Sequence, residues 1–478
     1  MKNVWVNVSN VFKKVKIKPV IAIVLSFLIA ILIGSGLLYA PFSLKEGVKI
    51  SYIDALFTST SATCVTGLVS IKAGVAETFS LAGRIIIAIL IQLGGLGVTT
   101  LAVAVFMIAN KKLTFNEQSL IKESWNLKNY QGIRGVFFKI ILLSFSFELF
   151  GAFLSFFDFY FWHNNPMDPM NPWTLQEAIG YSFFHSISAF NNAGFDLFGT
   201  SSLIVFEQVG DIYINLVTAF LIISGGLGFL VMIDMVTKKF NFKRFSLHSK
   251  IVLTFTIALI LSGMFITYLT ELGNKNDFGF LGSYFLSVST RTAGFTTYDL
   301  SKFRDSTLII YMFLMFVGAS PGGTGGGVKT TTFALFVAYM RGILTDRRPY
   351  YFKRTISKAL VRKALLIIIL GLLFVLVGGT IICGVEGNLN YVKDGISSTE
   401  YIEGANAFTS IDHAFEAMSA FGTVGLSTGY TPYYHTASKI VLITLMYVGR
   451  LGPLTVSTMF KAKNPQLYRY VEEDVSIG

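Results

Sequence analysis

The chain has 478 residues, of which 53% are hydrophobic, 15% aromatic and only 14% charged. This composition departs from that of soluble domains toward that of membrane proteins. The two cysteines, Cys64 and Cys383, have no metal-ligand spacing, so they indicate neither a disulfide framework nor a zinc site.

Apolar runs recur along the chain, and a bilayer span needs roughly 20 such residues for about 30 Å of hydrocarbon. Five runs are uncharged: Pro19–Leu44, Ile85–Asn110, Ile212–Ile233, Ile251–Thr270 and Ala364–Val385. Three more are interrupted: Ile140–Phe157 by Glu148, Ser306–Met340 by a glycine-rich stretch and Lys329, and Ile440–Phe460 by Arg450. We therefore predict eight transmembrane helices. The first is too long for a signal peptide and lacks a cleavage site.

The net charge of +12 reports membrane topology rather than nucleic-acid binding. With the amino terminus inside, 27 of the 39 Lys/Arg but only 7 of the 27 Asp/Glu lie in the inner segments 1–19, 109–139, 234–250, 341–363 and 461–478. This positive-inside bias predicts a multi-pass membrane protein with both termini in the cytoplasm. Segment 341–363 carries eight of these cations, which also suit an acidic partner or anionic membrane lipids.

Four stretches between spans end in a glycine and form an internal repeat. They are Thr60–Gly67, Ser186–Gly194, Ser287–Gly294 and Met418–Gly425. Aligned on the glycines, the residues ten positions earlier are Phe57, Phe184, Tyr284 and Phe415, and those six positions earlier are Ser61, Ser188, Val288 and Ser419. The repeat divides the chain into four units, 1–110, 135–240, 248–341 and 363–460, followed by a cytoplasmic tail, 461–478.

The helical segment before each glycine is only about 11–15 residues long, too short to cross a bilayer. Thr174 and Glu177 fit a capping box, and Asp54, Asp277 and Asp412 can occupy the other first turns. We therefore predict an all-α integral membrane protein. Its four fused span–pore helix–span units, with eight transmembrane and four re-entrant helices, would surround one pore of approximate fourfold symmetry.

Four glycine segments around one axis suit the chemistry of a dehydrated monovalent cation. Glycine permits backbone conformations that turn carbonyls inward, and rings of carbonyls replace the hydration shell of such an ion. We call the following triplets the filter segments and predict that they bind potassium: Val65, Thr66, Gly67; Asn192, Ala193, Gly194; Thr292, Ala293, Gly294; and Thr423, Val424, Gly425. The fourth matches the first three residues of the potassium-channel signature, whereas the others keep only the glycine. This difference predicts fewer ordered ion sites and looser selectivity.

A second glycine-rich stretch interrupts the sixth apolar run and cannot continue a helix, since each Gly costs about 1 kcal/mol and Pro about 3. Exposed backbone at membrane depth survives only inside protein or beside a watery cavity. We predict that this glycine loop, Gly318–Lys329, is a gate together with Arg450 of the fourth unit, which would repel cations or anchor the loop by hydrogen bonds. The gate residues are Gly318, Ala319, Ser320, Pro321, Gly322, Gly323, Thr324, Gly325, Gly326, Gly327, Lys329 and Arg450.

Two other interpretations of the glycine loop are less favoured. A packing kink would not need six glycines and a proline. A phosphate-binding loop requires Gly-Lys-Ser/Thr, but Val328 separates Gly327 from Lys329. We therefore expect no nucleotide site in this chain.

Other polar residues in apolar surroundings have structural interpretations. Glu148 is expected to hydrogen-bond to a neighbouring helix, Asp234 to lie at the membrane interface, and Arg291 to point behind the filter toward an acidic partner. His185 and His413 have no companion ligand at metal spacing, so they are expected to serve in packing or capping.

The filter segments, the glycine loop and Arg450 together make residues 18–460 resemble the membrane subunit of bacterial Ktr/Trk-type potassium uptake systems. Eight spans without an extra amino-terminal pair are more similar to the KtrB branch than to the TrkH branch. The resemblance implies potassium uptake across the bacterial cell membrane and suggests dependence on sodium. It also implies a homodimer bound to a cytosolic ring of nucleotide-binding regulatory subunits of RCK/KTN type.

Alternatives remain open at this point. A TrkH-type channel-like subunit or a less selective monovalent cation transporter would share the same segments. A membrane enzyme that binds phosphate through the glycine tract would need clustered carboxylates or histidines there, and only Lys329 is present. An alternating carrier would predict inverted repeats rather than parallel fourfold ones. We therefore expect no catalytic residues.

Overall fold

A computed structural model of the chain describes residues 19–97, 133–162, 172–199, 202–204, 212–273, 279–387, 392–393, 396–397, 409–453 and 455. The predicted inner ends of the second and eighth spans, both termini, the tail 461–478 and Asp277 lie outside these residues. In the described residues the regular elements are helices, apart from two short antiparallel ribbons that pair β1 (Tyr350–Tyr351) with β2 (Arg354–Thr355) and β3 (Val392–Lys393) with β4 (Ile396–Ser397). The helical class predicted from the sequence is confirmed.

The helices follow one another in the predicted order. The first half contains α1 (Pro19–Tyr39), α2 (Tyr52–Cys64), the short α3 (Gly74–Thr78), α4 (Leu81–Leu96), α5 (Ile133–Phe157, continued by the π-helical turn Asp158–Trp162), α6 (Leu175–Phe190), α7 (Ile212–Leu227) and α8 (Phe229–Thr237). The second half contains α9 (Leu247–Glu271), α10 (Phe280–Ser289), α11 (Asp305–Phe316), α12 (Thr330–Leu344), α13 (Lys358–Gly387), α14 (Ser410–Gly422) and α15 (Thr436–Leu451).

Four helices in the described residues are long and apolar enough to cross a membrane: Ile21–Tyr39, Gly135–Trp162, Leu247–Glu271 and Lys358–Gly387. The pair α7 and α8 would form a fifth span, bent by 95°. Side chains on these helices point outward into what would be hydrocarbon, with Ile33 59%, Leu142 68% and Leu376 67% exposed. These helices open the four predicted units, so lipid would face their outer surfaces.

The opening helix of each unit packs against the next short helix, and small residues make the approach close. A Cβ added to the facing glycine of the opening helix would overlap a serine hydroxyl in the first three units: Gly34 with Ser59, Gly151 with Ser186, and Gly263 with Ser287. The same hydroxyls donate hydrogen bonds of 2.6–2.8 Å to opening-helix carbonyls, at Ile31, Glu148 and Ile260. The repeat in sequence is therefore a repeat in local packing.

In the third unit, the stretch between the short helix and the filter glycine is one residue shorter than in the other three units. In the first, second and fourth units, the residue before the glycine donates its N–H to the carbonyl five positions back, as Thr66 does to Ser61. In the third unit the Ala293 N–H donates to the carbonyl only four positions back, that of Ser289. Phe285, fully buried, therefore corresponds to Phe57, Phe184 and Phe415, and Ser289 corresponds to Ser61. The sequence-based pairing of Tyr284 and Val288 with these positions was wrong.

Candidate ion pathway

The four filter segments share one backbone conformation. The first residue of each has a left-handed φ, at Val65 (58°), Asn192 (59°), Thr292 (75°) and Thr423 (50°). The closing glycines, Gly67, Gly194, Gly294 and Gly425, are also left-handed, whereas the residues between are not. Glycine adopts this left-handed conformation at no steric cost. In the first, second and fourth segments, this first residue donates its N–H to a carbonyl three positions back in the preceding helix.

The four glycines close a ring in chain order. A Cβ on Gly67 would come within 2.5 Å of the Ala193 carbonyl oxygen, and one on Gly194 within 2.7 Å of that of Ala293. A Cβ on Gly294 would overlap the Val424 carbonyl, and one on Gly425 would overlap the Thr66 carbonyl. Each segment therefore lies against the next, and the fourth lies against the first. The structure brings all four predicted filter segments to one axis.

Serine hydroxyls of the short helices support this ring from behind. The N–H of Gly67 donates to Ser61 Oγ at 3.0 Å, and the N–H of Gly425 donates to Ser419 Oγ at 3.1 Å. In the third unit the Ser289 hydroxyl donates instead to the Phe295 carbonyl. The residues that follow the glycines are buried: Leu68, Phe195, Phe295 and Leu426. The ring is thus fixed by polar contacts and by packing.

A cavity of about 480 Å³ opens on one side of the ring and is lined by all four glycines. Its charged lining residues are Lys72, Asp196 and Asp299. The Lys72 ammonium lies 4.6 Å from the centre of the Tyr433 ring, and the Asp196 carboxylate accepts a hydrogen bond from the Phe198 N–H. We call this cavity the vestibule.

The glycine loop covers the opposite side of the ring. Helix α11 ends at Phe316 and α12 begins at Thr330, so the apolar run breaks where the sequence predicts. A Cβ on Gly325 would overlap the Thr292 hydroxyl, and one on Gly326 would overlap that of Thr423. Thr324 lies within hydrogen-bond distance of the Asn192 side chain, at 3.2 Å. The loop therefore contacts three of the four filter segments through their first residues.

The backbone of the glycine loop is paired with the break between α7 and α8. Ser320 N–H donates to Gly226 O at 3.0 Å, Thr324 N–H to Gly225 O at 3.2 Å, and Phe229 N–H to Gly322 O at 3.0 Å. Gly228, with a φ of 91°, makes the sharp bend. These bonds satisfy backbone groups that no regular helix would pair, as membrane burial demands.

Two cations hold the glycine loop. Arg450, at the end of α15, donates to the carbonyls of Thr324 in the loop and Gly94 in α4. Lys329 donates from Nζ to the Gly325 carbonyl at 2.7 Å. Of the two roles considered for Arg450, anchoring of the loop by hydrogen bonds has this direct geometric support.

The expected acidic partner of Arg291 was wrong for the described residues. Its guanidinium donates to the carbonyls of Thr256 and Gly318, both at 3.3 Å, and to Thr330 Oγ1 at 3.0 Å. No ion pair includes Arg291 in the part of the chain that the structure describes. Neutral acceptors at the ends of the glycine loop take the place of a carboxylate.

The structural interpretation of Glu148 is confirmed. Its carboxylate accepts hydrogen bonds from Ser144 at 2.8 Å, from Gln92 of α4 at 2.9 Å and from Asn191 at 3.1 Å. Asn191 precedes the second filter segment. The predicted packing of the histidines is also observed, since His185 bonds to Thr218 and His413 to Tyr434.

The interfacial prediction for Asp234 fits its surroundings at the end of α8. Its carboxylate pairs with Lys238 at 2.6 Å and accepts hydrogen bonds from the Ser246 N–H and the Ser249 hydroxyl. These contacts join α8 to the start of α9, where charged residues become exposed.

Two polar contacts escaped sequence reasoning. Glu416, fully buried in α14, accepts from Ser427 and Thr431 at 2.5 Å each and from the Thr428 N–H at 3.0 Å, which fixes the chain beyond the fourth filter segment. A second carboxylate in the same helix, one turn beyond Asp412, was the available signal. Lys439 pairs with Asp54 at 2.7 Å and joins the fourth unit to the first. Their separation of 385 residues left no local signal.

Comparisons with known proteins identify the family of the chain. The family profile TrkH, described as a cation transport protein, matches residues 14–469. The chain is 36% identical to the Ktr system potassium uptake protein B of Bacillus subtilis (strain 168), over 98% of this chain and 99% of that protein. It is also 36% identical to the potassium/sodium uptake protein NtpJ of Enterococcus hirae, over 97% and 98% of the two chains.

A solved structure shows the same fold. The potassium transporter TrkH from Vibrio parahaemolyticus superimposes with a TM-score of 0.69 at 18% identity, covering 95% of this chain and 87% of that one. The family predicted from the filter segments, the glycine loop and Arg450 is thus confirmed. The chain belongs to the TrkH family of cation transport proteins.

Proposed function

We propose that this protein takes up potassium ions through the ring formed by the four filter segments. The closure of that ring, with each glycine against the carbonyl of the next segment, carries the proposal. Four inward-turned segments provide the carbonyl oxygens that replace the hydration shell of a monovalent cation. The names of the relatives, potassium uptake protein B and potassium/sodium uptake protein NtpJ, support the same ion class.

The path runs from the 480 Å³ vestibule, through the ring, to the glycine loop. In the described conformation, Gly325 and Gly326 lie against the first residues of two filter segments. An ion leaving the ring on that side meets the loop, so the loop acts as a gate that moves before ions pass. Lys329 and Arg450 add positive charge at the same place, which opposes cation passage while the gate is closed.

The proposed architecture is the eight-span, four-unit arrangement in a bacterial cytoplasmic membrane, with both termini inside. We further propose a homodimer with one pore in each subunit, controlled by a cytosolic ring of nucleotide-binding RCK/KTN-type subunits. Exposed basic residues in segment 341–363, such as Arg347 and Arg348, offer that ring or anionic lipid a complementary surface. The name Ktr system in the relatives supports an assembly of more than one component.

A less selective transporter of monovalent cations is the second candidate. Only the fourth filter segment has the Thr-Val-Gly sequence, and one relative is named for potassium and sodium together. Sodium would then be a transported ion or a required companion of potassium.

Reconstitution in liposomes tests both candidates. Rubidium influx is measured at increasing external potassium or sodium, with protein-free liposomes as control. Potassium uptake predicts competition by potassium at concentrations at which sodium does not compete, whereas equal competition would favour the less selective transporter. Absence of ion flux, with the proposed cytosolic partner present, would contradict both.

A further inference from the structure

Arg291 is a buried guanidinium, 7% exposed, between the third filter segment and the glycine loop. It follows the end of α10, where the partial negative charge of the helix stabilises a cation. Its hydrogen-bond partners are neutral oxygens of Thr256, Gly318 and Thr330. Such a group is stable only while those acceptors remain in place.

Two of these acceptors mark the two ends of the glycine loop. Gly318 is its first residue, and Thr330 follows its last residue and begins α12. The ends are also joined directly, since Thr330 Oγ1 donates to Gly318 O at 3.1 Å and Thr330 N–H donates to Ala319 O at 3.2 Å. One Arg291 nitrogen, Nη2, reaches both Gly318 and Thr330.

The other side of Arg291 is covalently joined to the filter. The next residue, Thr292, has a left-handed φ of 75°, and its hydroxyl lies against Gly325 at the middle of the loop. A movement of the loop away from the ring that includes its ends therefore separates Gly318 and Thr330 from a guanidinium joined to the ring. The remaining acceptor, the Thr256 carbonyl, belongs to α9 and lies outside the loop.

We propose that Arg291 is a positioning residue that clamps both ends of the glycine loop to the third filter segment and so stabilises the closed gate. The inference rests on the proposed function of the loop. Arginine suits this task because its planar fork presents several donors in fixed directions, which a lysine ammonium does not. Arg291 thus holds the ends of the loop, whereas Arg450 holds its centre.

Accessibility of the loop to a cytosolic thiol reagent provides the test. A cysteine is placed at Gly322, where an added Cβ meets nothing within 4 Å, in a chain whose Cys64 and Cys383 are replaced by alanine. The positive φ at Gly322 strains every variant equally, so it cancels in the comparison. Arg291→Gln should raise the modification rate about tenfold, because the closed loop loses hydrogen bonds to a charged donor.

Thr256→Val is the matched control. It keeps the carbonyl that accepts from Arg291 and removes a buried hydroxyl that has no hydrogen-bond partner among the described residues. Its modification rate should equal that of the parent. Thr330→Val should raise the rate less than Arg291→Gln. The rise in Arg291→Gln/Thr330→Val should be smaller than the two single effects combined, since both changes remove the Arg291–Thr330 hydrogen bond.

The clamp would be overturned if folded Arg291→Gln were modified at the rate of the parent. It would also be overturned if the effects of Arg291→Gln and Thr330→Val on the rate were additive. If Arg291→Gln does not fold, parent-like labelling of Thr330→Val overturns it. Rubidium flux separates this inference from the proposed function. If Arg291→Gln is labelled faster but no rubidium flux is measured, the transport proposal is contradicted and the clamp stands. If deletion of Gly322–Gly327 raises the flux but Arg291→Gln is labelled at the parent rate, only the clamp is contradicted.

Discussion

Arg450 donates a hydrogen bond to the carbonyl of Thr324, 126 residues earlier in the chain, at the centre of the glycine loop. The same guanidinium also donates to Gly94, so one side chain of the fourth unit joins the loop of the third to a helix of the first. An arginine in an apolar span is costly and is retained where it has a function. We propose that its function here is to hold backbone that no helix pairs.

Replacement of Arg450 by alanine should open the pathway. Loss of the bond to Thr324 removes roughly 1.5–3 kcal/mol from the closed loop, which corresponds to about a tenfold or greater rise in flux without the cytosolic partner. Deletion of Gly322–Gly327 should act in the same direction. Rubidium influx in liposomes measures both. Arg362→Ala, an exposed arginine near the start of α13, is the control and should leave flux unchanged; flux no greater than wild type in both gate variants would refute the gate.

Substitutions at the filter glycines should weaken discrimination between potassium and sodium. An alanine Cβ at Gly294 or Gly425 would overlap the carbonyl of the next filter segment, at Val424 or Thr66, and displace the oxygens that the ion requires. Growth of a potassium-uptake-deficient bacterium at low potassium, with and without added sodium, reports the change.

Gly429→Ala provides the matched control for that experiment. Gly429 has the same left-handed backbone, with a φ of 93°, but an added Cβ meets nothing within 4 Å. This variant carries the backbone strain without the overlap, so its ion preference should remain that of wild type. Equal effects in Gly425→Ala and Gly429→Ala would show that strain, rather than carbonyl position, decides selectivity.

Uptake should depend on external pH through Asp196. Burial raises the pKa of the Asp196 carboxyl to about 6, against the opposing effect of its hydrogen bonds from Phe198 and Ser202. The raised pKa places protonation within the accessible range: the group is charged above pH 6 and neutral below it. As pH falls from 7.5 to 5, the vestibule loses a negative charge, and the potassium concentration for half-maximal uptake should rise about two- to threefold.

The pH experiment has an internal control, because Lys72 and Asp299 are the other charged residues that line the cavity in the described part of the chain. In Asp196→Asn, the potassium concentration for half-maximal uptake should have the higher, low-pH value at every pH, and it should not change near pH 6. Asp299→Asn should retain the change. A pH response preserved in Asp196→Asn would assign it to another group.

The ion pair of Asp54 and Lys439 should contribute to the stability of the closed ring of units. Both side chains are largely buried, so Lys439→Met leaves an unpaired carboxylate and should lower the free energy of unfolding by about 3 kcal/mol. Thermal unfolding in detergent measures the loss. Asp54→Asn/Lys439→Met removes the uncompensated charge and should recover part of the lost free energy of unfolding. A double variant no more stable than Lys439→Met would argue against a direct pair.

The sequence alone determined the family and the break at the glycine loop, and it predicted the four units and the filter segments, because each depends on local chemistry. A glycine marks a position where the backbone must turn, as at Gly67, Gly194, Gly294 and Gly425. The glycines and proline of Gly318–Gly327 mark backbone that cannot be helical. Hydropathy and charge bias fix the class in the same way, since both follow from the solvent around each residue.

Only the tertiary structure decided which segments touch. The ring of glycines, the pairing of the loop with the broken helix of the second unit and the Asp54–Lys439 pair join residues that are far apart in the chain. It also assigned carbonyl partners to Arg291, where a positive charge beside the filter led us to expect a carboxylate, and it showed one residue fewer between the short helix and the filter glycine of the third unit. A backbone carbonyl is present at every position, so no sequence pattern marks the few that accept a buried charge.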